Sequence, residues 1–241
     1  MSTRPDQAAA ASAPDIAREI VDEGSLRSWN TPLDVGDPMG FVDRKPYSQR
    51  LADAKRASRG DEAVWTGSAR IGGIACAVIA SDFDFMAGTM GIAAGIRICR
   101  AFDRAIEQRL PVIGLPTSGG TRMQEGTPAF VQMANVAAAV RRLRDARLPY
   151  LVYLRDPTTG GVLGTWGSLG HLTFAEPDAL IALTGPRVIA SMTGEEFPEG
   201  VQTAENLYEH GIIDDLIPRD ELRHRLATAL AVLAPPVPVP P

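Results

Sequence analysis

The amino-acid sequence predicts an α/β fold, and three observations carry that expectation. Its strand-like segments are short apolar runs without polar alternation, such as IACAVIA (Ile74–Ala80) and YLVYL (Tyr150–Leu154), as strands covered on both faces read. Between them lie segments whose apolar residues recur at three- and four-residue steps, the helical period. The joining connections are short, so strand and helix alternate. A length of 241 residues supplies one large domain and hardly two.

Each element has its own justification. Residues 1–14 are rich in Ala, Ser and Pro and are expected to be disordered. Residues 30–47, rich in Pro, Gly and Asp, read as an irregular arm. Strands are predicted at Ile74–Ala80, Pro111–Leu115, Tyr150–Leu154, Leu172–Ala175, Ala179–Leu183 and Ile212–Ile217. A helix from Met90 to Leu110 would bury Ile92, Ile96, Cys99, Phe102, Ile106 and Leu110. A second starts with Thr127 as N-cap and Pro128 at the first helical position, both favoured there. It would bury Phe130, Met133, Ala137 and Val140 and turn Arg141, Arg142 and Arg144 outward. A third, from about Asp220 to Leu233, would bury Leu222, Leu226, Leu230 and Leu233. The tail APPVPVPP (Ala234–Pro241) cannot hold a helix and is expected to be extended, leaving residues 15–233 as the domain.

Composition excludes several classes. The balance of 24 basic and 29 acidic residues gives −5, which advertises neither nucleic acid nor a membrane surface. No run approaches 18 apolar residues, and the opening MSTRPDQAAAASAPD has no apolar signal core, so a cytoplasmic protein is expected. Two cysteines, Cys76 and Cys99, cannot form a disulfide framework or a four-cysteine zinc site, and no metal is expected.

Chemistry is suggested by two strand-to-helix connections. The strand Pro111–Leu115 runs into PTSGGTRMQEG and the strand Tyr150–Leu154 into RDPTTGGVLG, so each places a Gly-Gly pair, Gly119-Gly120 and Gly160-Gly161, beyond a strand's carboxyl end. Glycine permits positive φ and close approach to main-chain N–H groups. A helix expected from Val162 to about Gly170 would add a favourable dipole behind the second pair. Two such turns could aim amides at one oxygen as an oxyanion hole, each donor worth about 3 kcal/mol at a transition state. Tight turning alone also explains either pair. Neither is a dinucleotide fingerprint or a P-loop. A Ser-His-Asp triad would have to draw on His171, His210 or His224. Of these only His171, at the end of the short helix, is placed to face the turns. Glu125 and Glu176 are the nearest carboxylates, with helix-terminus and loop roles as alternatives.

The successive runs SGGTRMQEGTPAFVQMANVAAAV, LPYLVYLRDPTTGGVLGTWGSLG, FAEPDALIALTGPRVI and FPEGVQTAENLYEHGIIDDLI resemble the beta subunit of bacterial acetyl-CoA carboxylase carboxyltransferase. The resemblance extends back through FDFMAGTMGIAAGIRICRA and DPMGFVDRKPYSQRL and covers about residues 34–233. It implies a crotonase-like ββα spiral. It also implies transfer of a carboxyl group from carboxybiotin, held on a biotin carboxyl carrier protein, to the α-carbon of an acyl-CoA, with no tightly bound cofactor. Gly119, Gly120, Gly160 and Gly161 would supply the oxyanion amides. Phe85, Met86, Gly88, Met90, Gly91, Arg122, Gly185 and Arg187 would bind the thioester, with Trp166 beside the pocket. An alpha-type carboxyltransferase subunit would complete the site. Because the biotin ureido nitrogen would take the α-proton, the shortage of histidines suits this family and not a hydrolase.

This sequence departs from the family pattern in three places. The four-cysteine zinc ribbon is missing, His171 stands where the pattern is acidic, and Leu163-Gly164-Thr165-Trp166 replaces smaller residues. A malonyl-type decarboxylase subunit and a non-catalytic structural subunit are the alternatives.

Overall fold

A computed structural model describes residues 12–33, 35–195 and 197–233. The elements run α1 (Ala13–Ile20), β1 (Arg27–Ser28), α2 (Tyr47–Ser58), β2 (Val64–Ile71), β3 (Ile74–Ser81), α3 (Ile92–Glu107), β4 (Val112–Leu115), α4 (Thr127–Asp145), β5 (Tyr150–Leu154), β6 (Thr158–Thr159), β7 (Leu172–Ala175), β8 (Ile181–Ala182), α5 (Pro186–Thr193), α6 (Ala204–Glu209), β9 (Asp215–Leu216) and α7 (Leu222–Leu233). Seven strands form one sheet in the order β1-β2-β3-β4-β5-β7-β9. Its first two pairings are antiparallel and the rest parallel. β6 and β8 pair in parallel outside that sheet.

The unbroken apolar runs have a direct cause. In β3, Ala77 and Ile79 join the core beneath α3 and α4, while Cys76, Val78 and Ala80 join the opposite core beneath α1 and α7. In β5, Tyr150, Val152 and Leu154 take the first face and Leu151 and Tyr153 the second. With apolar layers on both sides, the two-residue period of the strand has no polar phase to show. Each fully buried Leu, Ile, Val or Phe contributes roughly 1.5–3 kcal/mol over an exposed one.

Several expectations need correction. β2, VWTGSARI, was not expected as a strand; its mixed residues hide it, and it is held in eight-residue register with β3 through a hairpin at Gly72 and Gly73, whose φ values are +58° and +81°. Helices α1, α2, α5 and α6 were likewise not legible, being short or poorly patterned. Ser12 and the start of α1 at Ala13 fall inside the segment expected to be disordered and are ordered, while residues 1–11 of that segment and the tail from Ala234 to Pro241 lie outside the described residues. The strands expected at Ala179–Leu183 and Ile212–Ile217 shrink to the two-residue β8 and β9.

The buried faces of α3 and α4 are each displaced from the bulky stripe that the periodicity favoured. α3 buries Ala94, Ile98, Ala101, Phe102 and Ala105, and α4 buries Ala129, Gln132, Val136, Ala139, Val140 and Leu143. Phe130 is 51% exposed. The reason is close helix approach: a Cβ on Gly95 would lie 2.5 Å from the Gln132 Cβ, so small residues face the contact and large ones flank it. Gly126 (φ +62°), not Thr127, occupies the N-cap of α4, and Leu233 of α7 is 38% exposed. Among the described residues no helix is long and apolar enough to cross a membrane.

Candidate active site

β4 and β5 are parallel neighbours, so the connections leaving their carboxyl ends start side by side. Backbone bonds tie them together: Ser118 N–H donates to the Pro157 carbonyl at 2.7 Å, and Thr159 N–H to the Ser118 carbonyl at 2.8 Å. The two glycine pairs therefore meet. A Cβ built on Gly160 would lie 2.9 Å from the Gly120 Cα, and both residues have positive φ, +110° at Gly120 and +66° at Gly160. Only glycine suits both demands.

The amides of these turns are not equivalent. Gly119 N–H donates to the Ala87 carbonyl (2.8 Å), Gly120 N–H to Ser118 Oγ (2.9 Å) and Gly160 N–H to the Ala182 carbonyl (2.9 Å). Three of the four expected donors are thus engaged within the fold, and these glycines supply turn geometry and room. Gly161 N–H makes no hydrogen bond among the described residues. Its φ is ordinary, and the space beside it is filled by Met133, whose Sδ would lie 2.0 Å from an added Cβ and would have to move. The helix expected behind it is a single π-type turn, Leu163–Gly167, too short for a substantial dipole.

A second unengaged amide belongs to Ala87, which sequence reasoning missed. Met86, Ala87 and Gly88 hold consecutive left-handed conformations (φ +50°, +55° and +63°). Strained non-glycine backbone of this kind concentrates at functional sites. Gly119 touches Ala87 and Gly120 touches Gly160, so the Ala87 and Gly161 segments flank one turn from two sides. No composition signal marks alanine for positive φ; the following Gly88, where a Cβ would meet the Thr117 carbonyl at 2.3 Å, was the one legible hint.

Arg122 is held in an interior ion-pair network. Its side chain is fully buried between Glu62 and Glu125, donating to Glu62 Oε2 at 3.0 Å, Glu125 Oε1 at 3.1 Å and the Thr89 carbonyl at 2.8 Å. Burial opposes its charge, but the Glu62 carboxylate outweighs that and holds the guanidinium protonated. Tyr47 OH donates to Glu125 Oε1 and Ile92 N–H to Glu125 Oε2, both at 2.5 Å, which ties α2 and the start of α3 to the first glycine turn. Burial, reinforced by Glu125, pushes the Tyr47 phenol up and keeps it a donor. Gly91 is required here, since a Cβ would fall 2.5 Å from Glu125 Oε1.

The other expected site residues sit in varied surroundings. Phe85 is buried with its ring 5.3 Å from the Arg122 guanidinium, and Met90 lies in the main core. Met86 packs half-buried against the Phe85 cluster. Trp166 is wholly buried, its carbonyl accepting from Tyr150 OH at 2.5 Å, so it fills the interior and does not line a pocket. Gly185 caps α5, and Arg187 follows in its first turn. His171 Nδ1 accepts from Tyr150 N–H at 3.0 Å; partial burial and Arg144 lower its pKa, keeping it a neutral structural acceptor. Glu176 accepts from Asp156 N–H at 3.1 Å. Cys76 and Cys99 are free thiols, and no three-residue cluster of metal-ligating side chains occurs among the described residues.

A largely parallel sheet whose neighbouring strands end in abutting glycine turns defines a crotonase-like α/β scaffold. The carboxyl transferase domain model matches residues 37–222, and the chain belongs to that family. It is 52% identical over 228 residues to a probable biotin-dependent acyl-coenzyme A carboxylase beta3 subunit of Mycobacterium tuberculosis, covering 93% of this chain and 45% of that protein. It is 45% identical over 214 residues to the acetyl-coenzyme A carboxylase carboxyl transferase subunit beta of Opitutus terrae, covering 89% of this chain and 74% of that one. The chain thus spans less than half the length of the mycobacterial relative. Among solved structures, a Pseudomonas malonate decarboxylase hetero-dimer aligns with a TM-score of 0.71 at 22% identity, covering 94% of this chain and 89% of that one. The transcarboxylase 12S core with methylmalonyl-coenzyme A bound aligns at 0.75 and 20% identity, covering 91% and 41%. At those identities the likeness establishes the fold.

Proposed function

We propose that this chain is the beta-type half of a biotin-dependent acyl-CoA carboxyltransferase acting in the cytoplasm. The observation that carries the reading is the Gly120–Gly160 backbone contact, which brings the unengaged Gly161 and Ala87 amides to opposite sides of one turn. Acetyl-CoA or another short acyl-CoA would place its thioester oxygen there. When the α C–H bond breaks, charge moves onto that oxygen, and fixed amides stabilise it without reorganising. The N–CO2 bond of carboxybiotin breaks, the ureido nitrogen takes the α-proton, and the carboxyl carbon bonds to the α-carbon, giving a malonyl-type thioester. No resident metal or cofactor is needed for these steps.

The reading also requires a second chain. Carboxybiotin has its own carbonyl on which charge develops, and the two glycine turns of this chain form one site. An alpha-type carboxyltransferase subunit would supply the other, and the carrier protein would deliver biotin between them. The relative more than twice as long is consistent with two such units acting together.

Run in reverse, the assembled complex is expected to convert malonyl-CoA to acetyl-CoA only when biotin is supplied as carboxyl acceptor, as followed by mass spectrometry of the thioesters. Biotin-independent release of acetyl-CoA would contradict carboxyl transfer and identify a decarboxylase.

A further inference from the structure

We propose that an apolar cavity beside the Gly160-Gly161 turn receives the acyl chain of the thioester, so that this chain accepts straight acyl groups well beyond acetyl. The inference rests on the carboxyltransferase reading and adds its substrate class. The cavity measures about 360 Å³, and Leu163, Ile181, Leu183, Phe197, Val201 and Ile212 are among the apolar residues that line it. That volume falls within the range of about 300–1,000 Å³ usual for small-molecule sites.

Position ties the cavity to the site. Leu163 lies two residues past Gly161, and Ala182, also on the wall, is the residue whose carbonyl holds the Gly160 amide at 2.9 Å. The side chain of Leu183 stands over Gly164, where a Cβ would meet its Cδ2 at 3.4 Å. Residues that adjoin or hold the Gly160-Gly161 turn therefore form part of the cavity wall.

Chemistry points the same way. Among the described residues no charged side chain lines the cavity, and Leu183 and Ile212, 66% and 62% exposed, rim it. Apolar residues grouped around a concavity mark a binding surface, unlike scattered ones.

The test uses the chain assembled with its alpha-type partner, carrier and biotin carboxylase, supplied in turn with acetyl-, butyryl-, hexanoyl- and octanoyl-CoA. The expected result is a kcat/KM that rises with chain length, by up to about fourfold per methylene buried, the equivalent of 0.8 kcal/mol. Ile212→Glu and Val201→Trp are each expected to lower the octanoyl-to-acetyl ratio at least tenfold, with acetyl-CoA turnover as the internal reference for folding. A flat or falling series with robust acetyl-CoA turnover overturns the proposal. So does a partner that buries Leu183 and Ile212 while chain length has no effect, which would mark a subunit contact. Calorimetry of thioester binding separates the two levels of inference. Absence of turnover with every thioester overturns the carboxyltransferase reading, whereas octanoyl-CoA binding no tighter than acetyl-CoA overturns the cavity's role.

Discussion

Replacing Gly160 with alanine is expected to lower carboxyl transfer by roughly 30- to 1,000-fold, equivalent to about 2–4 kcal/mol, in a protein that remains folded. The added methyl would sit 2.9 Å from the Gly120 Cα, which is backbone and cannot step aside as a flexible side-chain end can. Alanine also resists the φ of +66°. The strain is relieved by parting the two turns, which moves the adjoining Gly161 amide away from the Ala87 side. A displacement of an ångström is enough to forfeit a preorganised donor. Steady-state kinetics with circular dichroism as the folding check would measure this, and near-normal turnover in folded Gly160→Ala protein would remove the glycine contact from the mechanism.

Arg122→Ala is expected to be the most damaging substitution for stability. Among the described residues the guanidinium is the only cation bonded to Glu62 and Glu125, and the two side chains are 6% and 3% exposed. Removing one partner of a buried ion pair costs about 3–5 kcal/mol, because a desolvated charge is left behind. For a domain of this length that is a Tm lower by roughly 6–20 °C. Adding Glu62→Gln is expected to recover part of the loss, since it removes one stranded carboxylate. Differential scanning calorimetry decides the matter: a Tm within 2 °C or so of the parent (on the order of 1 kcal/mol or less) would mean that water enters and solvates the carboxylates.

How much of this was legible in the sequence depended on whether a residue's role is local. The parallel core strands were readable because burial on both faces removes polar residues from four or five consecutive positions, as in Tyr150–Leu154. The glycine turns were readable because Gly120 and Gly160 need positive φ, a demand the residue type announces. The setting of Arg122 was not readable for the opposite reason: its partners Glu62 and Tyr47 lie 60 and 75 residues away. Trp166 was similarly unreadable, since only the three-dimensional fold shows an interior able to hold its ring. Ala87 was invisible because its left-handed backbone is imposed by tertiary contact with the Gly119 turn. The helical stripes slipped because hydrophobic periodicity weights bulk, whereas α3 and α4 meet through alanine and glycine.

Carboxyl transfer itself is tested most directly by following label from 13C-bicarbonate into the thioester. The mixture holds ATP, biotin carboxylase, biotinylated carrier, acyl-CoA and this chain, with or without an alpha-type second chain. With both chains present, a thioester carrying the labelled carboxyl group should accumulate, and its formation should fall to background when the second chain is omitted. No labelled thioester from the complete mixture, or an equal rate from this chain alone, would contradict the account.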